Sequence, residues 1–160
     1  MAARGADGRP RSVLIVDDLA AVRQATGRLL GAAGYRVFEA GDGAEALEVL
    51  QAASALAPAH ERGMGGAIDL VLTDVMMPFS GVALGQEIRA RWPEQRVLYM
   101  SAYPAESLQA EGLRRVDGPF LAKPFTAEEL LSAVWAALQE LQGAPSAATP
   151  PPLLRPLSER

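Results

Sequence analysis

The stretch Asp69-Leu-Val-Leu-Thr-Asp74-Val-Met-Met-Pro78 constrains this chain most, because an apolar run passes straight into a carboxylate and then breaks at a proline. Leu70, Val71 and Leu72 leave no polar face, so the run reads as a strand covered on both sides, as central strands of parallel sheets are. Asp74 then stands where the strand emerges. In open α/β sheets, ligands bind outside the carboxyl ends of the strands. A carboxylate placed there can be a cation ligand, a nucleophile or a cap for the next turn.

The same pattern recurs along the chain. Ser12–Val16 is apolar and β-branched and ends on Asp17 and Asp18; Tyr35–Ala40, with Arg36 and Glu39, reads as a more exposed strand. Val97–Met100 delivers Ser101, and the short run Phe120–Ala122 ends at Lys123-Pro124. Helical spacing fills the intervals. Val22, Ala25, Leu29, Leu30 and Ala33 mark a helix from Leu19, stopped by Gly34. Asp42 and Glu45 have capping-box spacing and open a helix carrying Leu47 and Leu50, which is expected to give way around Ala53 to a loop or a frayed helical extension. After a turn at Pro78 to Gly81, Leu84, Ile88 and Trp92 share one face, and Pro93 stops that helix. Pro104–Arg115 is weakly helical and interrupted at Gly112. Thr126 and Glu129 form a second capping box, launching a helix whose buried face is Leu130, Leu131, Val134, Leu138 and Leu141. Strands alternating with helices in this way imply a doubly wound parallel α/β sheet with right-handed crossovers.

At 160 residues the chain suits one domain with a real core. Residues 1–11 and 143–160 read as an unstructured N-terminal tail and a Pro-rich C-terminal tail around a domain spanning 12–142. Residues 53–66 read as an insertion, and the single histidine, His60, falls in it as a solvated residue. No apolar run approaches the roughly 18 residues of a membrane span, and Met1 to Ser12 lacks a signal-peptide core, so a cytoplasmic protein without membrane contact is expected. The absence of cysteine excludes disulfides, thiolate catalysis and cysteine-based zinc sites. From Val13 to Leu141 there are 17 acidic and 10 basic residues, a poor footprint for direct contact with nucleic acid. Fourteen of the 15 basic residues are arginines, and Lys123 is the exception. One lysine in such a chain suggests a site needing a compact, mobile ammonium instead of a planar fork.

Asp17 and Asp18, Asp74, Ser101 and Lys123 each follow a different strand and fall on its carboxyl side. A single such Asp is more often a cap than a catalyst; polar groups at four such ends point to a site. Three carboxylates crowded together repel one another unless a cation sits among them, and hard oxygen ligands without His or Cys suit Mg2+. Magnesium held by a few carboxylates is completed by phosphate oxygens. The lysine and the Ser101 hydroxyl would meet those oxygens, with Asp74 as the nucleophile forming an acyl phosphate.

Val-Leu-Ile-Val-Asp17-Asp18, Leu-Val-Leu-Thr-Asp74-Val-Met-Met-Pro78, Tyr-Met-Ser101-Ala-Tyr103 and Leu-Ala-Lys123-Pro124-Phe125, in this order, resemble the response regulator receiver domain from Ser12 to about Leu141. The wording is similar to receivers of hybrid histidine kinases. The resemblance implies a (βα)5 flavodoxin-like fold with strand order 2-1-3-4-5 and a role in two-component phosphorelay signalling. It makes Asp74 the phosphoacceptor. Asp18 would ligate Mg2+ directly, Asp17 mainly through water, and the backbone carbonyl of Met76 would supply a further ligand. Ser101 and Lys123 would bind the phosphoryl group, Ser101 and Phe120 would form the switch, and the Lys123-Pro124 bond would be cis. The implied partners are a histidine kinase or phosphotransfer protein, an unknown downstream protein, and a second copy in a phosphorylation-dependent homodimer. In the family the places of Met76 and Tyr103 control water's access to the acyl phosphate; both are large here, so slow self-dephosphorylation is expected. The loop after Asp74 is one residue shorter than the usual Met-Pro-Gly-Met-Ser-Gly pattern.

Other readings are weaker on the residues. An aspartate-nucleophile phosphatase usually carries a second Asp two positions after the nucleophile, where this chain has Met76. A constitutive interaction module has no use for the acidic pair and the lysine, and a flavodoxin-like cofactor carrier needs a phosphate-cradling loop that Asp17-Asp18-Leu-Ala does not offer. No kinase motif is visible and there is no room for a DNA-binding output domain, so the expectation is a receiver that is not itself an enzyme, standing alone or excised from a longer protein.

Overall fold

In a computed structural model, residues 8–56, 68–75, 81–102 and 119–143 are described. The expected weak helix at Pro104–Arg115, the residues Met76, Pro78, Tyr103 and His60, residues 57–66 of the expected insertion, residues 1–7 and the C-terminal tail after 143 lie outside them. The elements are β1 (Ser12–Val16), α1 (Ala20–Ala32), β2 (Arg36–Ala40), α2 (Gly43–Leu56), β3 (Leu70–Asp74), α3 (Gly81–Arg91), β4 (Arg96–Ser101), β5 (Phe120–Ala122) and α4 (Ala127–Gly143). The strands form one parallel sheet in the order β2-β1-β3-β4-β5.

Every residue of β1 and β3 is buried, which is why these runs have no polar face. Alternation along the strands divides their side chains between two layers. Leu14, Val16, Val71, Val97 and Tyr99 pack with Ala46, Leu50, Leu84, Ile88 and Trp92 under α2 and α3. Val13, Ile15, Leu70, Leu72, Leu98, Met100 and Leu121 pack with Leu30, Leu130, Val134 and Leu138 under α1 and α4. Burying each such side chain contributes about 1.5–3 kcal/mol, so the double layer supplies most of the driving force for folding. In α3, Gly85 lets a helix lie against a large neighbour: a Cβ there would overlap the buried Tyr99 hydroxyl.

Both N-caps engage, the Thr126 box reciprocally and the Asp42 one with its return bond falling one residue earlier. Asp42 Oδ1 accepts from the Glu45 N–H at 2.8 Å while Glu45 Oε1 reaches back to the Gly41 N–H. The Thr126 hydroxyl accepts from the Glu129 N–H and Glu129 Oε1 from the Thr126 N–H, each at 3.0 Å. One local expectation is corrected. In α1 it is Thr26, Gly27 and Leu30 that are buried, and Ala25 is exposed. The Thr26 hydroxyl escapes the usual cost of burial by donating to the Val22 carbonyl at 2.8 Å. After Ala53 the chain takes the helical extension and not the loop: α2 continues to Leu56, with Ala53 packed on the α2–α3 layer.

Candidate functional site

Parallel strands deliver their carboxyl ends to one edge, and there the side chains of three strands meet. Asp17 follows β1, Asp74 ends β3 and Lys123 follows β5; each is in step with a buried residue two places earlier, Ile15, Leu72 and Leu121, on the α1–α4 side. Lys123 Nζ donates to Asp17 Oδ2 at 2.9 Å and to Asp74 Oδ2 at 3.0 Å. The two carboxylates, 0% and 9% exposed in their side chains, thus share one ammonium. Carboxylate oxygens of Asp17, Asp18 and Asp74 lie within 4.8 Å of one another. Burial pulls the Lys123 ammonium toward a lower pKa, but its hydrogen bonds to Asp17 and Asp74, with their charges, outweigh that and raise it above the ordinary lysine value.

The acidic pair is asymmetric. Asp17 is buried, and its polar atoms are engaged: its N–H donates to the Ala40 carbonyl at 3.2 Å, Oδ1 accepts from the Leu19 N–H at 3.0 Å, and its carbonyl accepts from Arg23 Nη1 at 2.8 Å. Asp18 is exposed, and its carboxylate has no hydrogen-bond or ion-pair partner among the described residues. Arg23 was not singled out on sequence. Its place one turn into α1, next to Val22 of the apolar pattern, was the available signal.

Ser101 ends β4 fully buried, and its carbonyl accepts from the Lys123 N–H at 2.7 Å, which ties the lysine's backbone to the neighbouring strand. Asp74 pairs with Met100 in the β3–β4 register, so Ser101 stands one step beyond Asp74 on the adjacent strand. Half-buried Phe120 pairs with Tyr99 and packs on the α2–α3 layer, in step with Val97, Tyr99 and Ser101. The Lys123-Pro124 peptide is cis. No helix among the described residues is long and apolar enough to cross a membrane.

A five-stranded parallel sheet in this order, with an acidic cluster and a lysine at its carboxyl edge, is the doubly wound architecture of receiver-like α/β domains. The family model for the response regulator receiver domain matches residues 13–135, and the chain belongs to that family. It is 32% identical over 130 residues to the sensor kinase CckA of Brucella abortus, covering 81% of this chain and 13% of that protein. It is 34% identical over 131 residues to the response regulator MprA of a Mycobacterium species, covering 81% of this chain and 51% of that protein. The solved receiver domain of the hybrid histidine kinase CckA superposes with a TM-score of 0.59 at 34% identity, covering 80% of this chain and 99% of that one. The chain therefore spans about half or less of the length of these curated relatives.

Proposed function

We propose that this receiver accepts a phosphoryl group on Asp74 from the phosphohistidine of a histidine kinase or phosphotransfer protein, and that Mg2+ is required. The observation that carries this reading is the ammonium of Lys123 bridging Asp17 and Asp74 with Asp18 beside them. The donor set fits the metal: all three groups are hard carboxylates, and exposed Asp18 is open to a new ligand. Asp18 and Asp74 would hold the ion directly and Asp17 mainly through water, with the Met76 carbonyl as a further ligand. Bound Mg2+ would offset the negative charge on the incoming phosphoryl group.

An Asp74 carboxylate oxygen attacks phosphorus, an O–P bond forms, and the N–P bond to the imidazole breaks with its electron pair staying on nitrogen. The freed imidazole then takes a proton from solvent. Lys123, which donates to both Asp17 and Asp74, would follow negative charge onto the phosphoryl oxygens. Ser101 would donate to the same group, and Phe120 would move in concert because the two share one face of neighbouring strands. The changed surface would engage a downstream protein or a second copy of the chain. The domain, 12–142, would catalyse only its own phosphorylation and dephosphorylation, in the cytoplasm, without direct contact with nucleic acid.

Incubation with Mg2+ and a small phosphodonor should add the mass of one phosphoryl group, measured on the intact protein. Asp74→Asn should remain unlabelled, and equal labelling of that variant would remove Asp74 from the role.

A further inference from the structure

The peptide that joins Asp17 to Asp18 is gripped from outside its own strand. Arg23 Nη1 donates to the Asp17 carbonyl at 2.8 Å, while Arg23 Nε donates to Glu39 Oε1 on β2 at 3.0 Å. The Arg23 side chain is only 19% exposed. Its own backbone is fixed in the first turn of α1, where the Arg23 N–H donates to the Leu19 carbonyl at 2.9 Å. A peptide unit is planar, so holding the Asp17 carbonyl sets the plane from which the Asp18 side chain departs. Among the described residues no side chain holds Asp18 itself. Its aim therefore depends on the grip one peptide earlier.

We propose that Arg23, anchored by Glu39, is a positioning residue that orients the Asp17–Asp18 pair and thereby raises its affinity for a divalent cation. The fork geometry is essential to this, because one guanidinium reaches a carbonyl and a carboxylate in two directions from a planar head, which a lysine does not reproduce. The sign of the effect separates positioning from simple electrostatics. A positive charge near a cation site opposes the cation, so if charge alone mattered, deleting Arg23 would strengthen binding. Loss of orientation weakens it.

The inference rests on the magnesium reading above, and calorimetric titration of the full chain with Mg2+ keeps the two apart. If the wild-type chain takes up no Mg2+, the magnesium reading itself fails. If it does, Arg23→Ala should bind about tenfold more weakly, the scale on which outer-sphere partners tune metal sites. Arg23→Lys should stay close to Arg23→Ala. Glu39→Ala should weaken binding less, and adding it to Arg23→Ala should change nothing further, since the two act through one contact. Arg28→Ala, on the exposed side of α1, is the control and should match wild type. Unfolding in chelator reports whether each variant is folded; should Arg23→Ala fail there, Arg23→Lys and Glu39→Ala carry the comparison. At saturating Mg2+, Arg23→Ala should label Asp74 at the wild-type rate. Unchanged or tighter Mg2+ binding in the folded variants, or labelling that stays slow at saturation, overturns the proposal.

Discussion

The two ends of β3 carry the same residue type in opposite circumstances. Asp69, just before the strand, turns Oδ2 onto the Ser12 N–H at 2.7 Å and so satisfies the first donor of β1. Asp74, at the strand's last position, faces an ammonium and two further carboxylates. A parallel sheet makes the difference, since it gathers all its carboxyl ends at one edge and all its amino ends at the other. At the amino edge a carboxylate finds a neighbouring backbone to cap. At the carboxyl edge it meets the side chains of other strands, as Asp74 meets Lys123.

If that contrast is right, changes at the two edges should separate chemistry from stability. The largest effect is expected for Lys123→Ala, which removes the cation between Asp17 and Asp74. Labelling of Asp74 by a small phosphodonor should slow about a hundredfold, the usual scale for deleting a donor to developing charge. A labelling rate within twofold or so of wild type would show that the lysine is merely a structural tie. Asp69→Ala should do the reverse, leaving labelling intact while lowering stability by about 1–2 kcal/mol in urea unfolding, because the Ser12 N–H loses its acceptor. Slowed labelling in that variant would break the distinction between the two edges.

A smaller change tests whether polar residues at the carboxyl edge can be purely structural. Thr126→Ala removes half of the capping box at the start of α4 and should cost about 1 kcal/mol with no change in labelling. The smallest expected effect is a pH dependence at the amino edge. Burial raises the Tyr35 phenol above 10.0, against a lesser lowering by the Arg11 guanidinium. The folded state thus prefers the neutral phenol, so its stabilising contribution is complete below the unfolded value and lost as pH climbs through the higher folded one. Between about pH 9 and 11, urea midpoints should fall less for Tyr35→Phe than for wild type. Parallel declines would assign the alkaline loss to other groups.

How much of this was legible beforehand depended on range. The buried runs of β1 and β3, the capping boxes at Asp42 and Thr126, and the apolar faces of α3 and α4 were readable because each is a pattern within one element. Their alternation implied the parallel sheet, and from the sheet followed the idea that Asp17, Asp18, Asp74 and Lys123 share an edge. The error was also local. Period counting placed Ala25 inside and overlooked Thr26, since it had no means of crediting a hydroxyl with a bond to the Val22 carbonyl. Composition left the stretch after Ala53 open between loop and helix, and packing carries the helix on to Leu56.

The sequence by itself determined which segments become strands, in what alternation with helices, and which carboxylates stand at strand ends, because hydrophobic period and capping act between near neighbours. Only the tertiary structure decided that one ammonium lies 2.9 Å and 3.0 Å from two carboxylates from different strands. The same is true of the division between Asp17, tied through its polar atoms, and open Asp18, and of the grip of Arg23 and Glu39 on the peptide between them. Those contacts join residues far apart in the chain, and their geometry follows from sheet register and helix docking.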